Sequence, residues 1–217
     1  MPSPGESADG LSPAFLELLK AEPLAELAVL DVGTGNGRLA LALAPLCRAV
    51  VGVDREARLV DEARKRAAAA GVTNARFVVG DVEVEDYAPF KPDMVVASLC
   101  LSAAIVERAG RVLRPGQVFA CVAFHTDQWK ETGRPSRFAY GEVGARRLLK
   151  KCGFAVEHCG VEREVQTFES VEQGLAAAVA LQEQWKADGR WFRYVKFLEE
   201  GGRTLTRAHL LVKARRA

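Results

Sequence analysis

The feature that most constrains this chain is a glycine-rich loop between an apolar strand and a helical pattern. Residues 29–40 read VLDVGTGNGRLA, with glycine at positions 33, 35 and 37. Glycines at alternate positions let backbone amides approach a ligand without obstruction by side chains. The helix that follows presents the positive end of its dipole to that ligand. Such a loop is shared by many nucleotide-binding proteins, so by itself it is a weak signal.

Two positions in the loop argue against a dinucleotide ligand. Arg38 stands where a dinucleotide fingerprint requires glycine for close packing of the helix. Asp31 lies two residues before Gly33. A carboxylate there repels a pyrophosphate and favours a cationic ligand that carries an ammonium or sulfonium group.

Two further acids follow the next two predicted strands. Asp54 closes the strand at residues 49–54, about 20 residues after Gly33, where an acid can accept hydrogen bonds from ribose hydroxyls. Asp81 follows the third strand, where it can accept from an adenine amino group. Because the carboxyl ends of parallel strands meet at one edge of a sheet, we expect Asp31, Asp54 and Asp81 to form a single rim.

The order of predicted elements favours one fold class. Apolar segments alternate with helical patterns through residues 28–124, which indicates an α/β, Rossmann-like doubly wound sheet with helices on both faces. Beyond it the sequence predicts a helix at 141–152, an extended segment at 154–165, helices within 171–198 and a last strand at 205–212.

This order also predicts the domain organisation. We expect residues 1–10 to be a flexible N-terminus and residues 11–217 to be a single domain, with a helical insertion at residues 169–200. The basic stretch from Arg203 onward is interpreted as a solvated tail.

Two more motifs complete the pattern, PDMVVAS at residues 92–98 and RVLRPGQVFA at residues 111–120. With the glycine loop and the acidic rim, they make residues 28–124 resemble a class I S-adenosylmethionine (SAM) dependent methyltransferase, similar to the small-molecule enzymes with a methyltransferase-11/25-like domain. The resemblance implies a seven-stranded sheet of order 3-2-1-4-5-7-6 with an antiparallel last strand. It also implies SAM as the cofactor and S-adenosylhomocysteine (SAH) as the product.

The resemblance further implies the roles of individual residues. The glycine loop would contact the methionine part of SAM, Asp54 the ribose and Asp81 the adenine. Val82 would lie near the adenine ring, the stem of Arg55 would pack against it, and the backbone of residues 98–99 would line the methionine side. The expected cofactor-binding residues are Asp31, Gly33, Thr34, Gly35, Gly37, Asp54, Arg55, Asp81, Val82, Ser98 and Leu99.

The motif after the fourth strand bears on the methyl acceptor. Nitrogen-directed DNA and protein-glutamine enzymes of this family carry an Asn/Asp-Pro-Pro-aromatic tetrapeptide there, whereas residues 97–100 read ASLC. RNA cytosine-carbon enzymes place a catalytic cysteine after a proline, which Cys100 lacks, so a small buried apolar role is expected for it. These absences disfavour a nucleobase acceptor, so we expect in-line methyl transfer to a small metabolite, which the aromatic residues of the insertion described below indicate to be partly apolar.

Acid–base chemistry has one candidate residue. His125 ends the fifth strand at the predicted rim and could serve as a general base, or it could be a loop-end histidine without chemical function. The insertion at 169–200 could cap the acceptor site. Its aromatic residues belong either to the core or to an apolar acceptor cavity: Trp185, Trp191, Phe192, Tyr194 and Phe197.

Composition limits the remaining function classes. The 30 Lys and Arg against 28 Asp and Glu give a net charge of +2, which disfavours nucleic acid as a partner. The five cysteines form no CxxC pair and the three histidines have no metal-ligand spacing, so no metal is expected and a reducing cytoplasm fits best. Every apolar run is shorter than the roughly 20 residues of a membrane helix.

Three functional interpretations therefore stand. The first is a SAM-dependent methyltransferase with a small-molecule acceptor. The second is a NAD-dependent oxidoreductase with a Rossmann domain, which the glycine loop and Asp54 favour and Asp31 and Arg38 oppose. The third is a non-catalytic SAM-binding module. The acceptor atom and the oligomeric state stay open.

Overall fold

The computed structural model describes residues 10–136 and 138–217. The predicted flexible N-terminus, apart from Gly10, lies outside these residues. Within them the strands are β1 (Ala28–Val32), β2 (Ala49–Asp54), β3 (Ala75–Val79), β4 (Met94–Ser98), β5 (Val118–His125), β6 (Ala139–Tyr140), β7 (Phe154–Thr167) and β8 (Thr204–Arg216). The α-helices are α1 (Pro13–Lys20), α2 (Arg38–Leu43), α3 (Ala57–Ala69), α4 (Ala103–Val112), α5 (Glu142–Lys151), α6 (Val171–Ala178), α7 (Gln182–Asp188) and α8 (Arg190–Glu199).

The strands form one mixed sheet of order β3-β2-β1-β4-β5-β8-β7, with the two-residue β6 paired to the end of β5. Strands β1 to β5 are parallel. At the far end, the amide of Arg216 donates to the carbonyl of Gln117 at 2.8 Å, so the end of β8 lies beside the start of β5 and the two strands are antiparallel. The predicted order 3-2-1-4-5-7-6 and antiparallel last strand are confirmed, with β6 as an addition.

The chain divides into two compact units. The first unit comprises the described residues up to Ala123 together with Val143–Cys159 and Leu211–Ala217. The second unit comprises Phe124–Glu142 and Gly160–Leu210. The chain passes between them within strands β5, β7 and β8 and at the start of α5. The single domain expected from the sequence stays a prediction.

The core of the first unit lies on both faces of the parallel strands. Strand β1 is buried along almost its whole length, as is usual for a strand covered by helices on both sides. Phe15 of α1, Leu43 of α2 and Val60 of α3 pack into the same apolar cluster as Met94 of β4. This packing holds the helices against the sheet and leaves the loops at the carboxyl ends of β1 to β4 to form a site.

The second unit has an aromatic core of its own. The segment between β7 and β8 forms α6, α7 and α8, and Trp185 and Tyr194 from it are 0% exposed. The Trp185 ring meets the Trp129 and Tyr194 rings edge-on, at centroid distances of 5.2 Å and 5.6 Å. Phe192, by contrast, is 68% exposed. Two of the aromatic residues noted in the sequence are therefore core residues of this unit.

The interpretation of the chain from Arg203 onward as a solvated tail is wrong. Strand β8 continues to Arg216, and Lys213 is only 7% exposed. The Lys213 ammonium lies 2.5 Å from a Glu22 carboxylate oxygen, and Arg215 pairs with both Glu22 and Glu157. Because Lys213 and Arg215 are two residues apart in a strand, they share one face and meet the same acids. The basic residues are thus part of the sheet.

Candidate functional site

The glycine loop after β1 has the backbone that its sequence requires. Gly33, Gly35 and Gly37 have φ of +69°, +55° and +81°, a left-handed conformation that side chains disfavour. A Cβ on Gly37 would lie 3.0 Å from Ala63 and Phe77, whereas one on Gly35 would meet nothing within 4 Å. The loop is therefore packed closely at its helical end and open at its tip.

Strand β2 holds this loop in place. The amides of Gly33 and Thr34 donate to the carbonyl of Val53 at 2.9 Å and 3.0 Å. The Gly35 amide donates to Asp54 Oδ2 at 2.8 Å, and the Glu56 amide donates to Asp54 Oδ1 at 2.9 Å. Each carboxylate oxygen keeps a further lone pair, so Asp54 retains acceptor capacity for ribose hydroxyls.

Asp31 is a buried carboxyl group directly beneath the loop. It is 1% exposed, and its Oδ2 accepts a hydrogen bond from Thr34 Oγ1 at 2.6 Å. Its Oδ1 has no hydrogen-bond partner among the residues that the structure describes. Burial raises the pKa of Asp31 to about 7, against the opposing hydrogen bond from Thr34. A buried carboxyl with an unpaired oxygen favours a cationic partner.

The loop after β3 places Asp81 next to Asp54. The Gly80 amide donates to the main-chain carbonyl of Asp54 at 2.9 Å, which holds the ends of β2 and β3 together. Asp81 Oδ1 accepts from the Glu83 amide at 2.9 Å. Val82 is buried, and its carbonyl accepts from the Tyr87 hydroxyl at 2.6 Å. Tyr87 was not predicted from the sequence, because a single tyrosine in an acidic loop belongs to no helical or strand pattern that would indicate its burial.

The end of β4 completes this edge of the sheet. Leu99 has a φ of +56°, and its amide donates to the carbonyl of Val122 at 2.8 Å. The next residue, Cys100, packs so closely on the glycine loop that a Cβ on Gly33 would lie 2.4 Å from its Sγ. Burial, together with the charges of Asp54 and Asp31, raises the pKa of Cys100 to about 11. The thiol is therefore protonated at neutral pH and unsuited to act as a nucleophile.

The remaining cofactor candidates lie along the same edge. Ser98 is the last residue of β4, and Arg55 is exposed between β2 and α3. The first unit thus gathers the predicted rim at the carboxyl ends of β1 to β4. Asp54 and Asp81 give this rim a negative character, and a cationic ligand beside Asp31 favours the ionised form of its buried carboxyl.

His125 lies in the second unit, at the end of β5. It is 5% exposed; its Nδ1 accepts from the Asp127 amide at 3.1 Å, and its Nε2 lies 3.2 Å from Glu142 Oε2. Because Nδ1 accepts, the neutral ring carries its proton on Nε2 and donates it to Glu142. Glu142's own backbone amide and then His125 lower the pKa of Glu142. Asp127 is also ion-paired with Arg163.

The described part of the chain contains neither a metal-ligand cluster nor a helix that could span a membrane. Within residues 10–136 and 138–217, no three His, Cys, Asp or Glu side chains gather as ligands for a metal ion. None of the helices in that part of the chain is both long and apolar enough to span a bilayer.

The fold and the site define the class, an α/β protein with a Rossmann-like sheet and an acidic rim beside a glycine loop at the carboxyl ends of its parallel strands. The family model described as a methyltransferase domain matches residues 24–202, and the chain belongs to this family of SAM-dependent methyltransferases. SAM is its cofactor. This membership decides against the NAD-dependent oxidoreductase.

Curated relatives match over part of their length. The chain is 44% identical over 63 residues to an uncharacterized RNA methyltransferase of Gloeobacter violaceus, covering 29% of this chain and 14% of that protein. It is also 44% identical over 71 residues to a protein-L-isoaspartate O-methyltransferase of Methanoculleus marisnigri, covering 32% of each. The chain thus spans a third or less of the length of these two relatives, whose names specify different acceptors.

Solved structures match over almost the whole chain. The YcgJ protein of Bacillus subtilis superposes with a TM-score of 0.71 at 18% identity, covering 93% of this chain and 96% of that chain. A magnesium protoporphyrin IX methyltransferase of Synechocystis, solved with SAH bound, superposes with a TM-score of 0.61 at 18% identity, covering 94% of this chain and 80% of that chain. At these identities the likeness shows a shared fold.

Proposed function

We propose that this methyltransferase transfers a methyl group from SAM to a small, partly apolar metabolite. The observation that carries the proposal is the rim of the first unit, where the Gly35 amide meets Asp54 at 2.8 Å above the buried carboxyl of Asp31. When bound, SAM supplies a methyl group that its sulfonium already activates. The protein has to orient the two reactants and exclude water.

The proposed cofactor contacts are those that the family resemblance implies for the rim residues. Asp54 accepts from the ribose hydroxyls, and Asp81 accepts from the adenine amino group. Asp31, through its unpaired Oδ1, attracts the positive charge of the methionine part. The further proposed contacts are the backbone of Gly33, Thr34, Gly35, Gly37, Ser98 and Leu99 and the side chains of Arg55 and Val82.

Two observations argue against RNA as the methyl acceptor. The Cys100 thiol has a pKa of about 11 and packs against the glycine loop, which opposes covalent attack on a cytosine ring. The net charge of +2 offers little attraction for RNA. We assign acceptor selection to the second unit, whose insertion presents the exposed ring of Phe192.

His125 is the proposed base for removing a proton from the acceptor. Both of its ring nitrogens are engaged, one with the Asp127 amide and one with Glu142. A base needs a free lone pair, so this role requires His125 to release one of these bonds when the acceptor binds. His125→Ala should then lower turnover about 100-fold with SAM affinity unchanged. His158→Ala is the matched control, and equal turnover in both variants would remove His125 from the mechanism.

Calorimetric titration with SAM, SAH and NAD in parallel tests the cofactor site. Binding of SAM and SAH alone is expected. Asp54→Ala should weaken SAM binding by roughly 1–3 kcal/mol, because the ribose hydroxyls lose their acceptor. An unchanged affinity would show that the rim is assigned incorrectly.

Methyl-labelled SAM tests the acceptor class. The protein is incubated with an ultrafiltered metabolite extract, with total RNA and with an isoaspartyl peptide in separate reactions. Label is expected in a small, organic-extractable product of the first reaction. Label in RNA or in the peptide, with none in the metabolite pool, would refute the proposed acceptor class.

A further inference from the structure

The segment that follows β3 is an exposed loop with a buried tyrosine at its end. The side chains of residues 83–86, three acidic and one apolar, are exposed, whereas Tyr87 is 1% exposed. The Tyr87 hydroxyl donates to the Val82 carbonyl at 2.6 Å. We call residues 81–87 the Asp81 loop. Tyr87, the last residue of this loop, thus folds back and holds the carbonyl of Val82, the residue after Asp81.

A second side chain holds the same loop from helix α4. Arg108 Nε donates to the Glu83 carbonyl at 2.8 Å. The carbonyls of Val82 and Glu83, the two residues after Asp81, are thus each held by a side chain, the first by Tyr87 of the loop itself and the second by Arg108 of α4. Asp81 itself accepts the Glu83 amide at 2.9 Å, so the carboxylate is tied to the backbone that these two anchors hold.

Burial raises the pKa of the Tyr87 hydroxyl above its ordinary value; the charge of Arg108 opposes this shift, and the charges of Glu83 and Asp81 act with it. Tyr87 therefore stays a hydrogen-bond donor at any working pH. If an exposed loop is already ordered, ligand binding does not have to pay the conformational entropy of ordering it. The ligand then binds more tightly. The hydrogen bonds from Tyr87 and Arg108 fix two neighbouring carbonyls of this short loop, and so they order it before a ligand binds.

We propose that Tyr87 and Arg108 are positioning residues that hold the Asp81 carboxylate ready for the adenine amino group of the cofactor. The proposal rests on the proposed function, in which Asp81 accepts from adenine. Neither side chain has to touch the cofactor. Tyr87 acts through the Val82 carbonyl and Arg108 through the Glu83 carbonyl, so the two anchors make the site selective for adenine over a base without that amino group.

Calorimetry with two ligands distinguishes positioning from general support of the fold. SAH carries the adenine amino group, and S-inosylhomocysteine carries an oxygen in its place. Tyr87→Phe removes one hydroxyl and keeps the ring. It should weaken SAH binding about fivefold, the effect of one lost hydrogen bond, and leave S-inosylhomocysteine binding unchanged. Arg108→Ala should do the same, and it serves as the second variant should Tyr87→Phe fail to fold.

Tyr194→Phe is the matched control, because Tyr194 is also fully buried and donates to a main-chain carbonyl, that of Gly174 at 3.3 Å. It should alter neither affinity. Equal weakening of both ligands by Tyr87→Phe, or weakening of neither, would overturn the inference.

Asp81→Ala separates this inference from the proposed function. If Asp81→Ala binds SAH as tightly as the natural chain, the adenine assignment itself fails. If Asp81→Ala weakens SAH while Tyr87→Phe and Arg108→Ala do not, the assignment stands and the positioning role is overturned.

Discussion

The rim of the first unit and the interior of the second unit are built in different ways. The rim is assembled from loops that each follow directly on a strand, so Asp31, Asp54 and Asp81 lie at or near the ends of β1, β2 and β3. In the second unit, the Glu131 carboxylate accepts from the Thr206 amide at 3.0 Å and from its hydroxyl at 2.5 Å. These partners are 75 residues apart.

Gln128 makes a similar distant contact, since its Oε1 accepts from the Ala208 amide across 80 residues of chain. The residues of the rim can therefore be recognised from the short sequence around each strand end. The polar pairs inside the second unit cannot, because their partners lie far apart in the chain. It also separates the expected effects of mutation. Changes in the rim should alter cofactor binding, and changes in the second unit should alter stability or acceptor use.

The largest expected effect is on the pH dependence of stability through Asp31. Its pKa is about 7 when folded and near 4 when unfolded, so the folded state binds the extra proton between these values. The stability contribution of Asp31 is therefore full below pH 4 and is lost as pH rises towards 7, by on the order of 4 kcal/mol. Urea unfolding between pH 4 and 8 should show Asp31→Asn gaining stability over the natural chain as pH rises. Parallel curves for the two proteins would contradict this prediction.

The next effect concerns the glycine loop. Gly33→Ala should destabilise the protein by about 3 kcal/mol, from left-handed strain and from overlap with Cys100, and it should abolish measurable SAM binding. Gly35→Ala is the control, because a Cβ there meets nothing within 4 Å. It should cost about 1 kcal/mol. Thermal unfolding and calorimetry measure both quantities, and equal losses in the two variants would argue against a close packing role for Gly33.

A change in the second unit should act on stability alone. Glu131→Ala should cost about 2 kcal/mol, because the buried amide and hydroxyl of Thr206 lose their acceptor. SAM affinity should be unchanged, since the proposed cofactor contacts all belong to the first unit. Glu183→Ala, with an 88% exposed side chain, is the control and should be neutral. If Glu131→Ala lowered the affinity for SAM, the expectation that changes in the second unit leave cofactor binding unaltered would be wrong.

The smallest effect on stability is expected at Phe192. Because its ring is 68% exposed, Phe192→Ser should change the free energy of unfolding by less than about 0.5 kcal/mol. If the second unit selects the acceptor, the KM for the acceptor should rise while the KM for SAM stays the same. Steady-state kinetics with the acceptor found by the labelling experiment provides the measurement. An unaltered KM for the acceptor would remove Phe192 from acceptor selection.

Much of the parallel sheet and the grouping of the rim could be predicted from the sequence. Apolar strands, helical periodicity and the glycine loop are local patterns, and the acids follow their strands directly. Once the strands are parallel, their carboxyl ends meet at one edge, so Asp31, Asp54 and Asp81 come together without further information. The motifs between residues 28 and 124 then indicated the family, and with it the order of the seven main strands; β6 was not predicted.

Other features depend on partners far away in the chain, and only the tertiary structure decided them. Lys213 and Arg215 look like a solvated tail until Glu22 and Glu157 lie beside them, and Tyr87 becomes an anchor only when its loop folds back on Val82. Likewise, the bonds to His125 depend on where α5 brings Glu142. Local sequence encodes which residues follow a strand, whereas the burial and pairing of a charge depend on contacts that form only when the chain is folded.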